Sequence, residues 1–242
     1  MQLIARLSLL SACFCLFTLG AIAQKVDFMQ PGYSFAPKQI SYITTEDGET
    51  HEVYIRSYKY KRGVIEEIKV KPAGAKKKVK IQPDDISYMY IKPSKLAQAF
   101  KSLEVLNDAT MWADKSGSEY INRGYNYYEQ ADVQIKKKKK TTAMMQLLNP
   151  SFSSKIKVYH DPYAKETASL GVSGIKVAGG EDKSFFVLPD GDKVAMKLER
   201  KNYKENFKKL FGDCPDVMDK YGADMKWGDF AEAVHLYTKS CK

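Results

Sequence analysis

The sequence predicts an α+β protein, mostly antiparallel β-strands with a C-terminal helical segment tied by a disulfide. Three observations carry that expectation. Between Ile40 and Leu198, apolar and polar residues alternate with a period of two in short runs, and turn residues separate the runs. Beyond Arg200 the period lengthens to that of a helix. Two cysteines, Cys214 and Cys241, fall inside that helical stretch. The 242 residues divide into a signal peptide (1–23), a strand-rich body (24–198) and a helical segment packed on the body (199–242).

In chain order, the leader comes first. Arg6 supplies a positive start, Leu7 to Leu19 is apolar and uncharged, and Ala21-Ile22-Ala23 has the small-x-small form of a cleavage site, leaving Gln24 first. The run is too short for a membrane span. A lipobox at Leu10-Ser11-Ala12-Cys13 is the alternative and would make Cys13 a lipid anchor. It would shorten the apolar region to Leu7–Ala12 and leave further apolar residues behind the cut. Residues 24–38, with Pro31, Gly32 and Pro37, then lead into the body.

From Ile40 to Lys92 the pattern predicts an antiparallel meander, because each connection is too short for a crossover helix. Ile40-Ser41-Tyr42-Ile43 enters the turn Glu46-Asp47-Gly48-Glu49. Val53 and Ile55 alternate with Tyr54, Arg56 and Tyr58. After Arg62-Gly63, Val64, Ile68 and Val70 share a face. Pro72-Ala73-Gly74-Ala75 turns the chain towards Val79 and Ile81, and Pro83-Asp84-Asp85 precedes the apolar run Ile86 to Ile91. Pro93-Ser94 caps a helix carrying Leu96, Phe100 and Leu103 on one side. Residues 107–130 have no clear period. Further strands are expected at Ala131 to Lys138, Lys155 to His160, Gly174 to Ala178, Ser184 to Leu188 and Lys193 to Leu198. The turn Pro189-Asp190-Gly191-Asp192 joins the last two.

The helical stretch opens with the stripe Tyr203, Phe207, Leu210 and Phe211, which Gly212 stops at the C′ position. Asp213 caps a short helix with Cys214 and Pro215 in its first turn. Phe230, Val234, Tyr237 and Cys241 follow at i, i+4, i+7 and i+11, so Cys241 faces the core. Cleavage removes Cys13 and Cys15. The remaining pair, Cys214 and Cys241, is expected to form one disulfide in an oxidising compartment.

Composition narrows the function. The chain carries a formal charge of +10, is 28% charged and has a mean hydropathy of −0.43, which excludes a multi-span helical membrane protein and a wholly disordered chain. Of its 39 basic residues only Arg6, Arg56, Arg62, Arg123 and Arg200 are arginine. Nucleic-acid readers depend on arginine for bidentate contacts, so no nucleic-acid partner is expected.

Lys136, Lys137, Lys138, Lys139 and Lys140 form an unbroken run that could meet an anionic surface such as lipid headgroups or acidic polysaccharide. A solvated edge strand is the favoured reading, since lysines on an edge block strand addition. A cluster at Lys76–Lys78 and Lys80 reads the same way. His160-Asp161 could be a base with its orienting carboxylate, but neighbours on a strand point to opposite faces. His51, His160 and His235 lack zinc-ligand spacing. Gly171, Gly174, Gly179 and Gly180 match no phosphate-cradling motif and read as turns. The tyrosines from Tyr120 to Tyr128 could stack on sugar or peptide. No catalytic signature is complete, and no cofactor or metal is expected.

Leu147-Leu148-Asn149-Pro150, Val158-Tyr159-His160-Asp161-Pro162, Gly179-Gly180-Glu181-Asp182-Lys183-Ser184 and Phe211-Gly212-Asp213-Cys214 together resemble secreted, strand-rich proteins of Bacteroidetes-type bacteria. That group ends in a helical, cysteine-paired segment. The resemblance covers the last hundred or so residues and implies export and architecture, without assigning roles to residues. The expectation is therefore an exported (periplasmic, cell-surface or extracellular), non-catalytic binding or structural module of the bacterial envelope. Its partner would be an envelope polymer or a surface protein. A secreted hydrolase of envelope or dietary polymers is the alternative.

Overall fold

The computed structural model describes residues 26–32, 34–61, 63–95, 97–98, 119–136, 139–164, 169–172, 175–179 and 182–241. The expected leader, Leu96, Phe100, Leu103, Trp112, Lys137 and Lys138 lie outside them. Twelve strands stand among the described residues: β1 (Ser41–Thr45), β2 (Thr50–Lys61), β3 (Val64–Pro72), β4 (Val79–Ile81), β5 (Ile86–Ile91), β6 (Asn126–Lys136), β7 (Lys139–Gln146), β8 (Ile156–His160), β9 (Ser169–Val172), β10 (Ile175–Gly179), β11 (Ser184–Pro189) and β12 (Met196–Glu199). Their ladders are antiparallel. The helices are α1 (Glu119–Asn122), α2 (Tyr203–Phe211), α3 (Pro215–Tyr221) and α4 (Phe230–Ser240). The α+β class stands.

One sheet runs β4-β3-β2-β1-β5-β6-β7. The meander holds from β1 to β4, with Gly48 (φ 87°) in the first hairpin turn. It fails at β5, which returns to the free edge of β1, pairing Tyr42 with Tyr90 and Ile43 with Met89. A 3-10 turn, Pro83–Asp85, carries the chain across, and the Gln130 amide secures it by donating to the carbonyls of Pro83 (3.0 Å) and Ile86 (3.2 Å). The short crossing is possible because the sheet curls until β3 and β7 come into contact.

Two irregularities in the β2–β3 ladder correct the expected faces. The register shifts between Ile55 and Ser57, so Tyr58 turns to the same interior as Val53 and Ile55, edge-on to Phe35 at 5.1 Å. A second shift, between Lys59 and Tyr60, puts Ile65 rather than Val64 beside Ile68 and Val70. Val64 packs instead on a separate cluster. One extra residue reverses a period-two pattern.

The second layer is the three-stranded sheet β12-β11-β8. Its strands alternate between two interiors. Tyr159 and Phe186 face Ala131, Val133, Ala143 and Met145 of the large sheet, while Val158, Phe185, Val187 and Leu198 face the helices. Gly191 (φ 85°) turns the β11–β12 hairpin where the sequence placed it. β7 and β9 were not anticipated. Gly171 and Gly179, read as turns, lie in the β9–β10 ladder, paired with Lys176 and Ser169. Glycine weakens a strand without forbidding it.

The helices close the third layer. Phe207, Phe211, Phe230 and Val234 are buried against Phe185, Val187 and Leu198. The lead-in segment joins them: Phe28 packs edge-on to Phe185 (5.2 Å) and Phe230 (5.3 Å), and the Met29 amide donates to the Leu148 carbonyl. Gly212 has a right-handed φ of −67° and is the C-cap, not a left-handed C′ residue; a Cβ there would collide with the Lys208 carbonyl. Cys214, rather than Asp213, is the N-cap of α3, and Asp213 accepts the Tyr237 hydroxyl instead (2.9 Å). Cys214 and Cys241 are bonded, with Cα atoms 5.6 Å apart.

Candidate functional site

The outer face of the large sheet carries tyrosines from three strands. Register places Tyr42 (β1) opposite Tyr90 (β5), and Tyr90 opposite Tyr127 (β6). Period-two alternation sends Tyr88 to the same side as Tyr90, while Met89 points into the core. Tyr120 from α1 lies over them, 4.4 Å from the Tyr42 ring and 4.7 Å from that of Tyr90. Tyr90 continues to Tyr127 at 5.1 Å, and Tyr127 to Tyr88 at 6.0 Å. Tyr42, Tyr88, Tyr90, Tyr120 and Tyr127 are each half-buried. At one end Lys92 Nζ sits 4.4 Å from the centroid of Tyr125, and the Arg123 guanidinium is 5.8 Å from it. Burial and the neighbouring Arg123 both lower the Lys92 pKa.

At the other end Glu129 collects three donors: the Tyr159 hydroxyl (2.6 Å), Lys157 Nζ (2.8 Å) and the Tyr127 hydroxyl (3.1 Å). Burial, then the Glu129 charge, raise both tyrosine pKa values far above their ordinary range. This group ties the two sheets together. Of the face, sequence reasoning singled out Tyr120, Tyr125 and Tyr127 but missed Tyr42, Tyr88 and Tyr90. The alternation Tyr88-Met89-Tyr90 was the available signal.

His160 and Asp161 take different roles. Asp161 is fully buried, and its carboxylate receives Lys197 Nζ (2.7 Å), the Ser184 hydroxyl (2.7 Å) and the Tyr163 amide (2.9 Å). So bound, it is a structural anchor for the end of β8. His160 lines a neighbouring cavity of about 230 Å³, with Tyr60, Val64, Met145 and Pro162. His51 lies 3.7 Å from Glu49, and His235 packs edge-on to Phe152. Among the described residues no group of three or more His, Cys, Asp or Glu could hold a metal ion, and no helix is long and apolar enough to cross a membrane.

Of the lysine run, Lys136 on β6 pairs with Lys139 on β7, and Lys137 and Lys138 lie outside the described residues. β7 is the last strand of its sheet, and Lys139 and Lys140 on it are exposed. Comparison with known proteins finds no matching family model, curated protein or solved structure. The fold and the surfaces together define a class: a strand-rich domain of a seven-stranded sheet, a three-stranded sheet and a two-stranded ladder, with a disulfide-tied helical layer and an aromatic outer face.

Proposed function

We propose that the protein is an exported, non-catalytic binding module of the bacterial envelope, and that the tyrosine face of β1, β5 and β6 meets its polymer ligand. The carrying observation is the continuous ring contact from Tyr42 through Tyr120 and Tyr90 to Tyr127 on half-exposed positions. Such a row offers apolar ring faces for the C–H faces of sugar rings. Export is supported by the apolar segment ending at Ala21-Ile22-Ala23, by the bonded cysteines and by the resemblance to secreted proteins. A hydrolase built on His160 and Asp161 is disfavoured, because Lys197 and Ser184 already occupy the carboxylate.

The test is cosedimentation of the chain beginning at Gln24 with purified peptidoglycan sacculi. Wild type is expected in the pellet, and a Tyr88→Ala/Tyr90→Ala variant in the supernatant while still unfolding in one cooperative transition. A wild type that stays soluble, or a variant that pellets equally, removes the reading. Mass analysis of the mature N-terminus tests export separately: Gln24 is expected, and a lipidated Cys13 would replace cleavage with anchoring.

A further inference from the structure

The outer face of the large sheet does not end at the tyrosines. Tyr42 is paired with Glu52 on β2. Tyr54, two positions on, shares that side, because Val53 and Ile55 are buried in the core. Tyr54 is in turn paired with Lys71 on β3. Ile68 and Val70 point inward, so Lys69 and Lys71 point outward with Tyr54. Lys69 stands opposite Lys80 on β4, and the exposed Lys76, Lys77 and Lys78 lead into that strand. From β6 across to β4, the face changes from tyrosine to lysine.

Two observations set the lysine half apart from a solvated edge. Lysine blocks strand addition from an edge strand. β4 is such an edge, but β3 lies between β2 and β4, so Lys69 and Lys71 protect nothing there. The acids nearest them are also taken up locally: Glu67 holds Lys80 (3.0 Å), and Glu66 holds Lys59 (2.7 Å) and Lys61 (3.0 Å). Lys69 and Lys71 make no ion pair among the described residues. Against the exposed Glu52 at the junction stand Lys69, Lys71 and Lys76 to Lys78, so this half is net positive.

We infer that the polymer on the tyrosine face is an acidic polysaccharide, whose sugar rings lie over Tyr42, Tyr90 and Tyr127 while its acidic groups meet Lys69 and Lys71. The inference rests on the tyrosine face being the contact surface. Adjacent strands lie about 4.8 Å apart, so a chain crossing them at right angles meets a new outward side chain at each strand. Lysine attracts a carboxylate or a sulfate ester alike, as a point charge. Rings on one half and charges on the other suit a chain that carries both.

The experiment titrates the chain beginning at Gln24 with oligogalacturonate (carboxylate), sulfated dextran (sulfate ester), neutral dextran and poly-glutamate. Binding of one or both acidic saccharides is expected, weakening at least tenfold between low and physiological salt. Whichever binds assigns the acidic group. Lys69→Gln/Lys71→Gln should weaken that binding tenfold or more while the protein still unfolds in one cooperative transition. Lys208→Gln/Lys209→Gln, which removes the same charge from exposed positions of α2, should leave it intact. Neutral dextran or poly-glutamate bound as tightly as the acidic saccharides, no binding of either acidic saccharide, or an equal loss in the α2 variant would each overturn the inference. Tyr88→Ala/Tyr90→Ala separates it from the reading on which it rests. If that variant loses the acidic saccharide and Lys69→Gln/Lys71→Gln keeps it, this inference alone falls. If the lysine variant loses it and the tyrosine variant keeps it, the tyrosine reading falls, and the shared polymer with it.

Discussion

The helical layer and the outer face of the large sheet are both rich in aromatic rings, yet they use them in opposite ways. Under the helices, Phe28, Phe185, Phe207, Phe211, Trp227 and Phe230 pack edge-on, tilted or stacked in and against the core; Phe185, Trp227 and Phe230 lie within 6 Å of one another. Their one polar handle, Trp227 Nε1, donates to the Asp182 carbonyl. On the sheet the rings are tyrosines, half-buried, with cations beside them. A hydroxyl keeps a ring tolerable at a water boundary, whereas a phenyl ring gains most by leaving water altogether. The first set therefore stabilises the fold, and the second leaves contact area for a partner.

That contrast can be broken by substitution, and the largest effect belongs to the interior. Phe230→Ala should lower unfolding free energy by about 3–5 kcal/mol, because the cavity opens among rings from three elements. A loss below about 1 kcal/mol in urea titration would mean that the helical layer is loosely packed. Reduction of Cys214–Cys241, which are 27 positions apart, should cost about 3 kcal/mol by freeing the unfolded chain. Melting curves with and without reductant check it, and coincident curves would show the bridge to be dispensable.

Alkaline pH sharpens the comparison through the buried tyrosines. Burial, and then Asp229 for Tyr203 and Glu129 for Tyr159, raise both folded-state pKa values above the ordinary value near 10. Their contribution is complete below pH 10. It is lost at about 1.4 kcal/mol per residue for each pH unit above that, as the unfolded chain ionises first. Stability that stays level to pH 11 would contradict the buried placement of both hydroxyls. A smaller effect is expected for Tyr88→Ala, about 1 kcal/mol or less at its half-exposed position. A loss as large as that of Phe230→Ala would make the tyrosine face a core and erase the distinction. Smallest of all, Lys139→Gln/Lys140→Gln should shift stability by no more than about 0.5 kcal/mol, and a larger shift would show that the start of β7 is held by its charges.

The sites were less legible than the fold. Glu129, Lys157 and Tyr159 come from β6 and β8, 28 and 30 positions apart, and no local pattern links them. Lys197, inside the last expected strand, had no visible link to Asp161 until β11 paired with β8 and β12. Asp161 was visible beside His160, but its partners Ser184 and Lys197 were not, so its structural role could not be read.

By itself, the sequence determined what depends on neighbours along the chain: the alternation of Ile43, Val53 and Ile55, the turns at Gly48 and Gly191, the stripe Tyr203–Phe207–Leu210–Phe211, and the pairing of Cys214 with Cys241. All but the last follow from backbone period and turn chemistry, which act over a few residues; the cysteine pairing follows from count, Cys214 and Cys241 being the pair beyond the expected leader. Only the tertiary structure decided that β5 returns to β1, that shifts in β2 and β3 turn Tyr58 and Ile65 inward, and that Val26 and Phe28 join the core beneath the helices. Those outcomes depend on which strand edges and apolar faces remain unpaired once the rest has folded. That competition is settled by burial across the whole molecule, and a local period carries no record of it.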